Sequence, residues 1–138
     1  MNLYQSFPAE KAKTPFCESL TDNLSALGGL FADSFDFKIR RLSLGSIRAA
    51  LICLDGMCNN AEIFQSVTLP LTQEYPAGES APAFYERVRD RISANVQQSE
   101  VFFVEDASAA VIAGNLLLLV DGVARSLVYE VLNRLVAK

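Results

Sequence analysis

Histidine is absent from this 138-residue chain, and so is tryptophan. Without histidine, Ser-His-Asp and Cys-His catalysis in their usual forms are excluded, as is a zinc site with a histidine ligand. Cysteine is scarce, limited to Cys17, Cys53 and Cys58. An odd count with no secretory signal implies reduced thiols, a reducing compartment and no internal disulfide. Cys53 and Cys58 stand five apart, which is not the C-x-x-C spacing of redox or zinc motifs. Cys53 lies in an apolar run and reads as a small buried hydrophobe.

Long apolar runs are also missing. The longest, around Leu116–Val120, stops at Asp121, far short of the roughly 18–20 residues that cross a bilayer. Met1 to Lys13 lacks the charged-then-apolar order of a signal peptide. Basic charge is in the minority. Twelve Lys and Arg face sixteen Asp and Glu, a formal net charge of −4, which argues against a nucleic-acid partner. The densest basic stretch is Arg87, Arg89 and Arg91, interleaved with Glu86 and Asp90. Successive arginines fall about 200° apart on a helix, so the stretch reads as a solvated helix face. No Gly-rich phosphate loop, EF-hand or metal-ligand cluster occurs, and no cofactor is expected.

What the chain does have is apolar mass. Hydrophobic residues make up 51% and charged residues 20%, which excludes disordered, collagenous and low-complexity classes. The length suits about one domain and buries roughly two-thirds of the unfolded surface, so a core needs no disulfide or metal.

Residues 1–16 show no sustained period and hold Pro8 and Pro15; they read as a flexible N-terminal arm before a single α/β domain over 17–138. A helix fits Glu18 to Phe31, with Leu20, Leu24, Leu27 and Phe31 on one face and Gly28-Gly29 weakening the last turn. Asp36–Leu42 reads as a strand with Phe37, Ile39 and Arg41 on one face. Gly45-Ser46 then turns the chain into Ile47–Leu54, apolar enough for a central strand. Asn59 or Asn60 caps a second helix carrying Ile63, Val67 and Leu71, which Pro70 kinks or ends. A surface loop over Thr72–Pro82 leads to a helix over Pro82–Ala94, with Phe84, Val88 and Ile92 inward.

Val101–Val104 reads as a short buried strand. Asp106 is expected to cap a helix over Ala107–Ala113, which Gly114 closes. Leu116–Val120 is another apolar strand, and Asp121-Gly122 a hairpin signal. Ser126–Val131 suits a strand; a helix through Leu127, Val131 and Leu135 is the rival. The expected fold is α/β (α+β): a mixed sheet of about four to five strands, centred on 47–54, 101–104 and 115–120, with helices packed on it. Leu24, Leu27, Ile52, Leu54, Val104, Leu117 and Leu119 are the expected shared core.

Two apolar strands end in Asp-Gly, at Asp55-Gly56 and Asp121-Gly122. Asp-Gly is a common strand terminator, since Gly takes positive φ and Asp bonds nearby backbone. The second copy reads as structural. The first leads into a helix, the place where α/β sheets hold ligands. Asp55, Gly56, Asn59 and Asn60 are therefore the candidate ligand-binding residues. Helix N–H groups would take a carboxylate there, and Asp55 an ammonium. The bland alternative is a turn bonded by Asp55 and a helix capped by Asn59 or Asn60. Glu105 and Asp106 are adjacent, which does not by itself bring two carboxyls to one pocket.

One resemblance joins these segments. The helix with Leu20, Leu24 and Leu27, Phe37-Lys38-Ile39-Arg40, the strand ending in Leu54-Asp55-Gly56, the helix leading to Leu69-Pro70-Leu71, and Gly114-Asn115-Leu116-Leu117-Leu118-Leu119-Val120-Asp121-Gly122 follow in a telling order. In that order and spacing the chain resembles the N-terminal soluble domain of the A subunit of spore germinant receptors, the GerA family, over about residues 18–125. The resemblance implies a non-catalytic domain serving nutrient-germinant sensing or receptor assembly in the spore inner membrane. Its partners would be other receptor subunits and a small nutrient such as an amino acid or sugar. Family members continue into a second soluble subdomain and membrane helices, and Asn133-Arg134 is at most the start of that continuation. The resemblance thus implies an excised first subdomain on a reducing, cytoplasmic side, with membrane contact belonging to the parent. Two rivals stand beside it. One is a small-molecule enzyme using Asp55, Asn59 and Asn60 with Glu105 or Arg40; the other is a generic protein-interaction module.

Overall fold

The computed structural model describes residues 13–31, 37–55, 67, 69, 71, 78–92 and 97–130, among which three helices and five strands are described in full. They are α1 (Leu20–Phe31), β1 (Phe37–Leu44), β2 (Ile47–Leu54), α2 (Ala81–Ile92), β3 (Gln98–Val101), α3 (Val104–Ile112), β4 (Leu116–Val120) and β5 (Ser126–Tyr129). The strands form one sheet in the order β1-β2-β4-β5-β3.

The apolar runs explain that order. Every residue of β4 and β5 is buried, as are seven of eight in β2. Only a strand with side chains packed on both faces can place apolar residues at successive positions. Two cores result, one on each side of the sheet. Leu24, Leu27, Ile52, Leu54, Val104, Leu117 and Leu119 are all buried together under α1 and α3, as expected. On the other face Leu51, Leu116, Leu118, Leu127 and Tyr129 pack against Phe84, Tyr85 and Val88 of α2. Val67 and Leu71, both helical and fully buried, join this second layer. Burial on both faces also decides for the strand reading of Ser126–Tyr129 over the helical one.

Local chemistry sets the ends of these elements. Ser19 Oγ accepts the Asp22 N–H at 3.2 Å, so α1 starts at Leu20, two residues later than expected. Despite Gly28 and Gly29, the helix runs on to Phe31. Gly45 takes a φ of +65°, which the two-residue β1–β2 turn requires. At the end of α3, Gly114 has φ +100°; its N–H reaches Val111 O at 2.9 Å, and Asn115 N–H reaches Ala110 O at 3.1 Å. This pair of bonds closes the helix as a Schellman motif.

Four expectations are corrected. All strand pairings are antiparallel, so the sheet is not mixed in direction, although the α+β class holds. The strand expected at 101–104 lies instead at Gln98–Val101, and at the sheet edge rather than its centre. Gln98, Ser99 and Glu100 supply the polar positions an edge strand tolerates, while Val104 is buried through α3. Asp106 does not cap α3; the N-cap is Phe103, without a side-chain cap, and Asp106 sits in the first turn 3.2 Å from Lys13 Nζ. Finally, the arm does not extend to residue 16. Phe16 is buried, its N–H donates to Phe102 O at 3.0 Å, and Val104 N–H donates to Thr14 O at 2.7 Å. Pro15 bridges Phe103. An apolar Phe16 with a place in the α1–α3 core outweighs the local lack of periodicity. Residues 1–12, like Ile63, Pro70 and Cys58, lie outside the described residues.

Candidate functional site

Asp55 stands where expected, at the end of β2. It is exposed and lies 3.6 Å from Nζ of Lys38, which pairs with Cys53 two residues earlier on β2. Both side chains are more than half exposed, so the pair contributes little. Gly56, Asn59 and Asn60 lie outside the described residues. Of the groups named with them, Arg40 is exposed on β1, and Glu105 is engaged elsewhere. Glu105 accepts the Thr14 N–H at 2.7 Å and its hydroxyl at 2.9 Å. The Thr14 N–H above all, with smaller help from the hydroxyl and Lys13, holds the Glu105 carboxyl below the usual carboxylate range.

The second Asp-Gly does more than turn the chain. Asp121 Oδ1 accepts the Leu20 N–H at 2.9 Å, and Oδ2 lies 3.6 Å from Arg48 Nη2. Asp121 N–H donates to Arg48 O at 2.8 Å, and Gly122 N–H to Glu18 O at 2.7 Å. This ties the start of α1 to the end of β4. Beside the knot lies a cleft of about 180 Å³, formed by Leu20 and Thr21 of α1 and by both strands of the β1–β2 hairpin. Arg41 pairs with Ala50, and Ser43 with Arg48. Arg41 and Arg48 therefore sit diagonally on the same sheet face, within reach of one object between them. Sequence reading missed this pair. The signal was the register fixed by Gly45-Ser46, which places both arginines on one side.

Across the sheet, α2 meets the β3–β5 edge in a polar cluster. Tyr85 Oη donates to Glu100 Oε2 at 2.7 Å. Arg125 Nε lies 3.4 Å and Arg89 Nη1 3.6 Å from the same carboxylate, and the Arg125 guanidinium sits 4.9 Å over the Tyr85 ring. Burial first, then the Glu100 bond, pushes the Tyr85 phenol far above its ordinary pKa. Arg87 clamps Glu79 through Nη2 at 2.6 Å and Nε at 3.0 Å, and its bond keeps the Glu79 carboxyl below the usual range. Arg87 and Arg89, two of the arginines read as a solvated face, are thus committed to ion pairs. Burial also raises the phenol of Tyr129, whose hydroxyl has no hydrogen-bond partner among the described residues. These groups lock helix to sheet, a role the sequence reading did not assign to Tyr85 or Tyr129. Among the described residues, no cluster of three or more acids and cysteines could hold a metal ion, and no helix is long and apolar enough to cross a membrane.

An antiparallel five-stranded sheet with helices on both faces defines the class as an α+β domain. Residues 25–135 match the family model described as Bacillus/Clostridium GerA spore germination protein, and the chain belongs to that family. It is also similar to a solved structure, the N-terminal domain of the A subunit of the Bacillus megaterium spore germinant receptor GerK3. That likeness has 22% identity and a TM-score of 0.66, and covers 86% of this chain and 48% of the other. At this identity it is a likeness of fold, and the chain spans about half the length of that domain. No curated protein matches.

Proposed function

We propose that this chain is a non-catalytic soluble domain of a germinant-receptor A subunit, serving nutrient-germinant sensing or receptor assembly. Membership of the GerA family over residues 25–135 carries the reading, and the shared fold with a receptor A-subunit domain supports it. On this reading residues 17–138 are the first soluble subdomain of a longer membrane protein. The partners are other receptor subunits and a small nutrient, an amino acid or a sugar; nucleic acid and cofactors have no part. The complex sits in the spore inner membrane with this domain on a reducing side. Such a compartment suits the Cys17 thiol, which lies exposed and donates to Asn23 Oδ1 at 3.3 Å. The enzyme reading gains no support from Asp55, which pairs with Lys38, or from Glu105, which Thr14 occupies.

The test is an in-frame deletion of residues 17–138 from the parent gene in a spore former. Nutrient-triggered germination is followed by loss of absorbance, and the sister subunits by immunoblot of the inner membrane. Loss of the nutrient response is expected, with germination by a non-nutrient trigger retained. Depleted sister subunits then assign the domain to assembly, and normal levels assign it to sensing. An undiminished nutrient response overturns the proposal.

A further inference from the structure

The cleft between α1 and the β1–β2 hairpin holds a charge imbalance. Arg41 and Arg48 stand diagonally on one sheet face, close enough for one anion to meet both guanidinium groups. Asp121 meets only one of them. One of its oxygens is spent on the Leu20 N–H, and the other is 3.6 Å from Arg48. Arg41 forms no ion pair among the described residues. Among the described residues, two guanidinium groups stand against one carboxylate, which leaves one positive charge uncompensated.

The remaining lining adds donors without further charge. Thr21 and Ser43 bring hydroxyls to the cleft. Ser19 Oγ takes the Asp22 N–H and Asp121 takes the Leu20 N–H, while the Thr21 N–H between them has no protein acceptor among the described residues. The volume, about 180 Å³, equals that of roughly six waters at about 30 Å³ each. A planar carboxylate matches the guanidinium fork, and a single negative charge neutralises the site.

We propose that the Arg41–Arg48 cleft binds a small organic monocarboxylate, held by the Arg41 guanidinium with Thr21 and Ser43 as further donors. Such binding is a property of the purified chain, independent of any receptor role. It is tested by titrating the ¹⁵N-labelled 138-residue chain with sodium propionate, keeping ionic strength constant with sodium chloride. Saturable amide shifts are expected at Leu20, Thr21, Arg41, Ser43 and Arg48. The Arg41→Gln variant should weaken binding about tenfold or more, the loss of a charge-assisted pair. Arg41→Lys, which keeps the charge but not the fork, should fall between. Unchanged amide shifts over Leu116–Val120 check that each variant is folded, and should one variant unfold the other reads the same contact. Four outcomes overturn the proposal: no saturable shift, shifts confined to other parts of the chain, equal affinity in the folded variants, or inorganic phosphate binding as tightly as propionate.

Discussion

Asp121 Oδ1 accepts the backbone N–H of Leu20 at 2.9 Å across 101 residues of sequence. The N-terminus of a helix leaves its first amides without intrahelical acceptors. Here Ser19 supplies one partner from within the segment, and Asp121 supplies another from the turn after β4. One carboxylate thereby fixes where α1 crosses the sheet. Asp121→Ala should lower stability by about 1–2 kcal/mol, the range for losing a capping acceptor. Asp121→Asn keeps an acceptor oxygen and should cost less. Urea unfolding of the two variants separates them; equal losses would show that the charge matters and the Leu20 bond does not.

Leu117 and Leu119 are fully buried on the α1–α3 side of the central strand β4. Leu119→Ala should cost about 2–5 kcal/mol, because the packed layer closes only partly around the lost side chain. Ile39, on edge strand β1, is 38% exposed, and Ile39→Ala should cost less than about 1.5 kcal/mol. A near-normal urea midpoint in Leu119→Ala would contradict the central position of β4.

The contrast between Leu119 and Asp121 also shows what a sequence can reveal. Leu119 belongs to an unbroken apolar run, and such a run has few solutions other than a strand covered on both faces. The same logic exposed β2, and helical spacing exposed the Leu20-Leu24-Leu27 face of α1. Asp121 looks like any Asp before Gly, and its bond to Leu20 exists only after the sheet brings the two together. Phe16 shows the same limit: its burial comes from the backbone bond to Phe102 and the bridge of Pro15 to Phe103, not from a local period. The edge position of β3 was hidden because the apolar Val101-Phe102-Phe103-Val104 stretch resembles a strand. The structure instead spends it on a strand end, a docking site for residues 14–16 and the first residue of α3. The Asp55 turn was legible, whereas the Arg41–Arg48 pair needed the hairpin register to be drawn out.

The Thr14–Glu105 clasp should depend on pH. The folded carboxyl titrates below its unfolded value because the charged form accepts the Thr14 N–H. Its contribution is therefore fully present above the unfolded value, about 4.3, and is lost as pH falls through the lower folded value. The Thr14 amide shift should titrate with a midpoint below that of a free glutamate. Glu105→Gln should abolish the titration and speed hydrogen exchange at Phe16. A Thr14 midpoint at or above the free value would refute the clasp.

Tyr85 and Tyr129 are both fully buried, yet only one has a use for its hydroxyl. Tyr85 donates to Glu100 at 2.7 Å, whereas the Tyr129 hydroxyl has no partner among the described residues. A buried unpaired hydroxyl costs about 1–3 kcal/mol. Removing it should relieve that cost, so Tyr129→Phe should leave stability unchanged or raise it by about 1 kcal/mol. Tyr85→Phe removes a donor from a carboxylate and should destabilise by about 1.5–3 kcal/mol. Alkaline pH should repeat the point, since burial raises both phenols above their ordinary value. Their contribution is fully present below about pH 10, the unfolded value. It declines as pH rises further, because only the unfolded chain releases those protons. Phenolate absorbance from these two side chains should therefore appear together with unfolding rather than before it. Urea midpoints for the two variants are the direct comparison, and a larger loss in Tyr129→Phe than in Tyr85→Phe would reverse the assignment of which hydroxyl is bonded.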